Sequence, residues 1–264
     1  MKYRYTNNKI KLIHGDCIKK MQDIKDNTID LVVTSPPYDN LRTYNQDVLN
    51  WGSHIWKPCF KEIYRTLKKG GVCVWVVNDA TIKGSETGTS FRQALWAMEC
   101  GLNLHDTMAY SKNGFQKPNY NRYWSCFEYM FIFSKEKPKA FNLIKDRKNK
   151  QAGKTCLGKT IRNQDGTLSK RKSFVVNKFG KRTNIWHYSS GYYKKHPATF
   201  PIHLAKDHII SWSNEGDTVL DMFMGSGTVG CACKELKRKF IGIEFDREYF
   251  EIAKERIRNH KPVK

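Results

Sequence analysis

Residues 217–246 read DTVLDMFMGSGTVGCACKELKRKFIGIEFD. An apolar run, DTVLDMF, meets a turn carrying Gly225 and Gly227. The helix-spaced stretch VGCACKELK follows, and a second apolar run, KFIGIEFD, carries Glu244 at its end. Strand, glycine turn, helix, strand is a βαβ unit, and such units build parallel sheets. Open α/β sheets bind ligands beyond the carboxyl ends of their strands. Two glycines there let the backbone approach a ligand and adopt positive φ, and the next helix offers unpaired N–H groups. Gly225, Gly227 and Gly230 have the spacing G-x-G-x-x-G, and no G-K-[ST] makes a P-loop. Alone, such a turn is compatible with a tight βα connection, and Glu244 with a solvated loop carboxylate. Together, with Glu244 17 residues after Gly227, they fit a nucleoside whose ribose hydroxyls meet an acid.

Outward from this unit, four more strand-like runs occupy the first half: KIKLIHGD, TIDLVVTS, GVCVWVV and FEYMFIFS. Apolar spacing at Trp56, Phe60, Ile63 and Leu67 predicts a helix stopped by KKGG, and a second helix is predicted around Phe91–Glu99. HDTMAYS reads as a further strand. After His196, HPATFPIHLAKDHIISWS reads as a turn and an amphipathic helix, and DREYFEIAKERIRNH closes as a helix. The expected order is an α/β half at 1–134, a basic region at 135–195, and a second half of the same α/β domain at 196–264.

The basic region is distinctive. Of the chain's net charge of +22, fifteen units fall in residues 135–195, where eighteen Lys and Arg face three acids. Aromatic residues are interleaved, among them Phe141, Phe174, Phe179, Trp186 and Tyr188. A charge run is often a solvated face. This density with aromatic interleaving favours a nucleic-acid contact. The 264 residues, 39% of them hydrophobic, suffice for one large α/β domain with an insertion. No apolar run approaches the ~20 residues of a membrane span, and the basic N-terminus lacks the apolar core of a secretion signal. The expectation is a cytoplasmic protein without membrane contact. Eight scattered cysteines without C-x-x-C pairs predict reduced, mostly buried thiols and no metal site.

Residues 34–40 read TSPPYDN directly after the apolar IDLVV. Taken alone, two prolines at a strand end make a rigid turn. With DMFMGSGT and IGIEFD in the same chain, TSPPY resembles the catalytic [DNS]-P-P-[YFW] motif of the S-adenosylmethionine-dependent methyltransferases that modify exocyclic amino groups of DNA bases. DMFMGSGT resembles that family's D-x-F-x-G-x-G-T cofactor motif. The catalytic motif comes first, the basic region second and the glycine turn last. That order resembles the β-class arrangement, whereas RNA and protein-glutamine methyltransferases with an N-P-P-Y motif usually place the glycine turn first. The resemblance implies a Rossmann-like methyltransferase fold: α/β, a seven-stranded mostly parallel sheet with one antiparallel strand and helices on both faces, plus a basic target-recognition insertion.

The resemblance also implies roles. Asp221, Phe223, Gly225, Gly227, Thr228 and Glu244 would bind S-adenosylmethionine. Asp16, ending HGD, would lie near its adenine, and Pro197 and Phe200 of HPATFP would line its pocket. The Ser35 side chain and the Pro36 carbonyl would hold the base amino group. Pro36 and Pro37 fix φ, and Tyr38 would stack on a base flipped out of the duplex. Lysines and arginines of the basic region, such as Lys145, Arg147, Lys148, Arg171 and Lys172, would contact phosphates, as would Arg42 after the catalytic turn. No metal is required, and the absence of a Pro-Cys dipeptide argues against ring-carbon methylation. Ser at position 35 is more frequent in cytosine-N4 enzymes and Asp in adenine-N6 enzymes, so cytosine-N4 is favoured. The implied substrate is double-stranded DNA. A cognate restriction endonuclease is a compatible partner, and monomer and homodimer both stay open. An RNA methyltransferase and a nucleic-acid-binding module with a dead cofactor pocket are the rival readings.

Overall fold

The computed structural model describes residues 4–6, 9–39, 51–116, 121–170, 172–189 and 201–261. Arg42, Arg171, His196, Pro197 and Phe200 lie outside the described residues. The chain forms two compact units, one from residues 1–142 and 184–264 and one from Leu143–Thr183.

The first unit holds a nine-stranded sheet. Its strands in chain order are β1 (Arg4–Thr6), β2 (Ile10–His14), β3 (Ile29–Thr34), β4 (Leu67–Val77), β5 (Asn103–Gln116), β6 (Ser125–Ser134), β7 (Ile185–Tyr188), β8 (Thr218–Asp221) and β9 (Lys239–Glu244). Across the sheet the order is β1-β2-β9-β8-β3-β4-β6-β5-β7. Strands β2, β9, β8, β3 and β4 run parallel, and β6 is antiparallel to both its neighbours. These and β5 are the seven strands expected, with β6 the antiparallel one. The count of seven is corrected by a short strand at each edge. β1 pairs antiparallel with β2. β7 pairs parallel with β5, Ile185 opposite Ala109. Residues 185–188, IWHY, are too short to announce a strand in a basic stretch, but Trp186 is buried and anchors them to the sheet.

Among the described residues six helices pack on the sheet: α1 (Cys17–Met21), α2 (Ser53–Thr66), α3 (Thr89–Glu99), α4 (Ile202–Trp212), α5 (Thr228–Glu235) and α6 (Arg247–Asn259). Alternation along β4 explains the two layers. Cys73, Trp75 and Val77 join one apolar cluster with Met21, Phe60, Ile63 and Ala97 of α1–α3. Val72, Val74 and Val76 are equally buried on the opposite face, where α4, α5 and α6 pack in succession. Strands buried on both faces read as unbroken apolar runs, and this is why IDLVV and GVCVWVV carry no polar alternation. Among its described residues the second unit holds three two-stranded ribbons, pairing 155–156 with 174–175, 160–162 with 168–170 and 147–148 with 179–180. The doubly hydrogen-bonded ion pair of Arg182 with Asp146 braces it.

Candidate active site

Strands β3 and β8 are parallel neighbours, with Leu31 opposite Val219 and Val32 opposite Leu220. Their carboxyl ends therefore stop side by side. Thr34 ends β3 and Asp221 ends β8. The Thr34 Oγ1 donates to Asp221 Oδ1 at 2.7 Å, and the Phe223 N–H donates to the same oxygen at 3.1 Å. Both side chains are buried. Burial pushes the Asp221 carboxyl up to about 7, against the opposing pull of those two hydrogen bonds.

The glycine turn continues from Asp221. Gly225 has φ 51° and Gly227 φ 81°, the left-handed region that favours glycine. The Gly225 N–H donates to Glu244 Oε2 at 2.7 Å, and the Asp246 N–H donates to Oε1 at 2.9 Å. Desolvation at this enclosed strand end nevertheless pushes Glu244 up to about 7. The Glu244 carbonyl accepts from the Gly15 N–H at 2.8 Å, so Asp16 lies on the same rim. Asp16 caps α1 by accepting from the Lys19 N–H at 2.9 Å. Phe223 meets the rings of Trp51 and Trp75 edge-on. The buried Thr228 opens α5, and its Oγ1 accepts from Arg256 at 3.1 Å, a guanidinium that also donates to Ser226 Oγ at 2.9 Å.

The SPPY turn leaves β3 beside this rim. Pro36 is buried, and Ser35, Pro37 and Tyr38 are half-buried. Ser35 Oγ lies 2.9 Å from the Tyr38 hydroxyl, which donates to Glu128 Oε2 at 2.8 Å. Glu128 on β6 is itself ion-paired with Lys112 on β5. Asp39 closes the turn with φ 45°. Its Oδ2 accepts from Thr87 Oγ1 at 2.6 Å and the Ala80 N–H at 3.3 Å. Asp79 accepts from the Ser90 N–H at 2.8 Å and fixes the start of α3.

Sequence reasoning missed Thr34, Glu128, Lys112 and the pairing of Asp39 with Thr87. Glu128 carried a signal: a lone acid inside FEYMFIFS needs a partner if buried. Lys112 gave none, because its place two residues along β5 from Tyr110, the register partner of Glu128, is a property of the β5–β6 ladder. In the second unit Lys145, Arg147, Lys148 and Lys172 are exposed, and Arg147 also braces its ribbon by donating to the Lys181 carbonyl at 3.0 Å. Among the described residues no group of acids, histidines and cysteines could hold a metal ion, and no helix is long and apolar enough to cross a membrane.

A family model for DNA methylases of the N6/N4 type matches residues 29–255. The chain belongs to this N6/N4 DNA methylase family, the S-adenosylmethionine-dependent amino-methyltransferases of DNA. The orphan methyltransferase M.BamHII of Bacillus amyloliquefaciens is 51% identical over 90% of this chain and 92% of its own. The type II methyltransferase M.HpaI of Haemophilus parainfluenzae is 31% identical over 94% of this chain and 74% of its own. Among solved structures, the PvuII DNA methyltransferase (cytosine-N4-specific) shares the fold with a TM-score of 0.69 at 20% identity, over 97% of this chain and 95% of that one. The M1.HpyAVI–SAM complex does so with a TM-score of 0.61 at 24% identity, over 94% and 99%. The SPPY and glycine turns lie at neighbouring strand ends of one sheet, both within the matched residues.

Proposed function

We propose that this protein transfers the methyl group of S-adenosylmethionine to the exocyclic amino group of a base in duplex DNA, with cytosine N4 the favoured target. The observation that carries this reading is the Thr34–Asp221 hydrogen bond, which ties the SPPY turn and the glycine turn to one rim.

The residues of that rim fit the cofactor. Each Glu244 oxygen engages one backbone N–H and retains lone-pair capacity for a ribose hydroxyl. Gly225 and Gly227 line the approach without side chains, Asp16 bounds the adenine side, and Asp221, Phe223 and Thr228 shape the turn. Pro197 and Phe200 would complete the pocket. When bound, the cofactor supplies an electrophilic methyl group. The chain's own residues position the nucleophile. The Ser35 Oγ and the Pro36 carbonyl accept the two amino protons, since proline offers a carbonyl and no N–H. This restrains the amino group and helps free its lone pair from the ring. The Tyr38 ring covers the flipped base, a contact of ~1–3 kcal/mol in base-stacking systems. Positioning of this kind supplies much of the rate. The basic unit, Lys145, Arg147, Lys148 and Lys172 among its residues, binds phosphates and carries target recognition, with Arg171 and Arg42 as further phosphate contacts. Ser35 in place of Asp supports cytosine.

The test is mass spectrometry of nucleosides from duplex DNA and from structured RNA, each treated with protein and cofactor. N4-methylcytosine in DNA is expected. N6-methyladenine without N4-methylcytosine would sink the cytosine preference, and methylation of RNA alone would sink the DNA reading.

A further inference from the structure

We propose that Glu128 acts as a positioning residue that fixes the direction of hydrogen bonding through Tyr38, so that Ser35 meets the base amino group as an acceptor. This rests on Ser35 being the acceptor assigned above.

A hydroxyl donates one hydrogen bond and accepts up to two. A pair of hydroxyls 2.9 Å apart, such as Ser35 and Tyr38, has no intrinsic direction. Glu128 supplies one. It is buried, with 5% of its surface exposed, and Lys112 pairs with it, so its carboxylate is held as an anion that accepts and cannot donate. The single Tyr38 proton is therefore committed to Glu128. The Tyr38 oxygen then accepts, and the single Ser35 proton is committed to Tyr38. Toward any other neighbour Ser35 Oγ presents lone pairs. The order runs from the Lys112 ammonium through the Glu128 carboxylate, the Tyr38 hydroxyl and the Ser35 hydroxyl to the amino N–H of the base.

The direction matters because a serine, unlike an aspartate, can point the wrong way. A Ser35 proton aimed at the amino nitrogen would occupy the lone pair that must attack the methyl group. An aspartate at this position needs no such device. The four residues come from two strands and one turn, and all lie in the α/β unit.

Single-turnover methyl transfer separates this from a merely structural role. In Glu128→Gln, the amide oxygen faces the Lys112 ammonium and the amide N–H groups face Tyr38. The chain then reverses and the Ser35 proton points at the base. The expected rate loss is about 100-fold, with cofactor and DNA dissociation constants unchanged. Tyr38→Phe keeps the ring, breaks the chain and leaves Ser35 free to rotate, for a loss of about 10-fold. The double variant should return to the Tyr38→Phe rate, faster than Glu128→Gln alone. Losses that multiply, with Ser35→Ala inactive, overturn the proposal and leave the underlying site reading intact. Ser35→Ala at the unmodified rate overturns that reading and the proposal with it. If Glu128→Gln does not fold, Lys112→Met carries the same comparison: a rate loss with Tyr38 present, and none in the Tyr38→Phe background. A loss of equal size in both backgrounds overturns the proposal.

Discussion

Thr34 and Asp221, 187 residues apart in the chain, share a buried hydrogen bond of 2.7 Å. It joins the last residue of β3 to the last residue of β8, one position before the SPPY turn and at the first position of the glycine turn. Asp221 has its carboxyl pushed up to about 7 by burial. In the unfolded chain the same group titrates near ~4. Between those values the unfolded chain releases a proton that the folded chain keeps, so this contribution to stability is full below about pH 4 and is lost as pH rises to about 7. A three-unit difference corresponds to about 4 kcal/mol. Asp221→Asn retains an acceptor for Thr34 and removes the titration. Its stability relative to the unmodified protein, from urea unfolding at a series of pH values, should therefore improve by up to that amount from about pH 4 to 7. A difference that does not vary with pH contradicts the assignment.

Glu244 gives a second pH dependence, read in cofactor binding. Its carboxyl is also pushed up to about 7, and ribose hydroxyls donate best to the ionised form. Affinity for S-adenosylmethionine should weaken as pH falls through about 7, by at most about tenfold per pH unit. Glu244→Gln should bind more weakly above neutrality and lose most of that slope. Calorimetric titration across this range checks both. A steep slope that persists in the variant would assign the titration to another group.

How much of this was legible depends on whether the determinant is local. Gly225 and Gly227 announced their positive φ because few other residues adopt it at so little cost. IDLVV announced a central strand because burial on both faces leaves no polar alternation. Trp56, Phe60 and Ile63 announced α2 by their spacing. Edge strands β1 and β7 are set by pairing with β2 and β5, and three or four residues leave no period to read. The Thr34–Asp221 and Tyr38–Glu128 bonds are products of strand order and register. A threonine in TSPPY and a glutamate in FEYMF give no sign of their partners until the sheet is assembled.

Gly227 tests the turn itself. It caps α5 at φ 81°, and a Cβ there would lie 2.9 Å from Ile257 Cδ1 and 3.1 Å from the Ala253 Cβ on α6. Gly227→Ala faces both backbone strain and a crowded neighbour. The expected cost is ~1–3 kcal/mol in unfolding free energy, with weaker cofactor binding because the start of α5 must shift. Gly166, equally left-handed at φ 83° but with nothing within 4 Å of an added Cβ, is the control. Gly166→Ala should carry the backbone cost alone and leave cofactor affinity unchanged. Equal effects from both substitutions on cofactor binding would remove the glycine turn from the site.

The basic unit is tested by salt. Lys145, Lys148 and Lys172 are exposed, whereas Arg147 also supports its ribbon through the Lys181 carbonyl. If the lysines bind phosphates, each Lys→Ala substitution should weaken duplex binding for every sequence alike and reduce the slope of log affinity against log salt by about 1. Arg147→Ala should do the same and also lower the melting temperature, because its guanidinium has a structural partner to lose. Measured by fluorescence anisotropy over a range of salt, a triple lysine variant with an unchanged slope would exclude these three residues from the phosphate contacts. Binding that weakens for one duplex sequence and not others would instead make them base-reading residues.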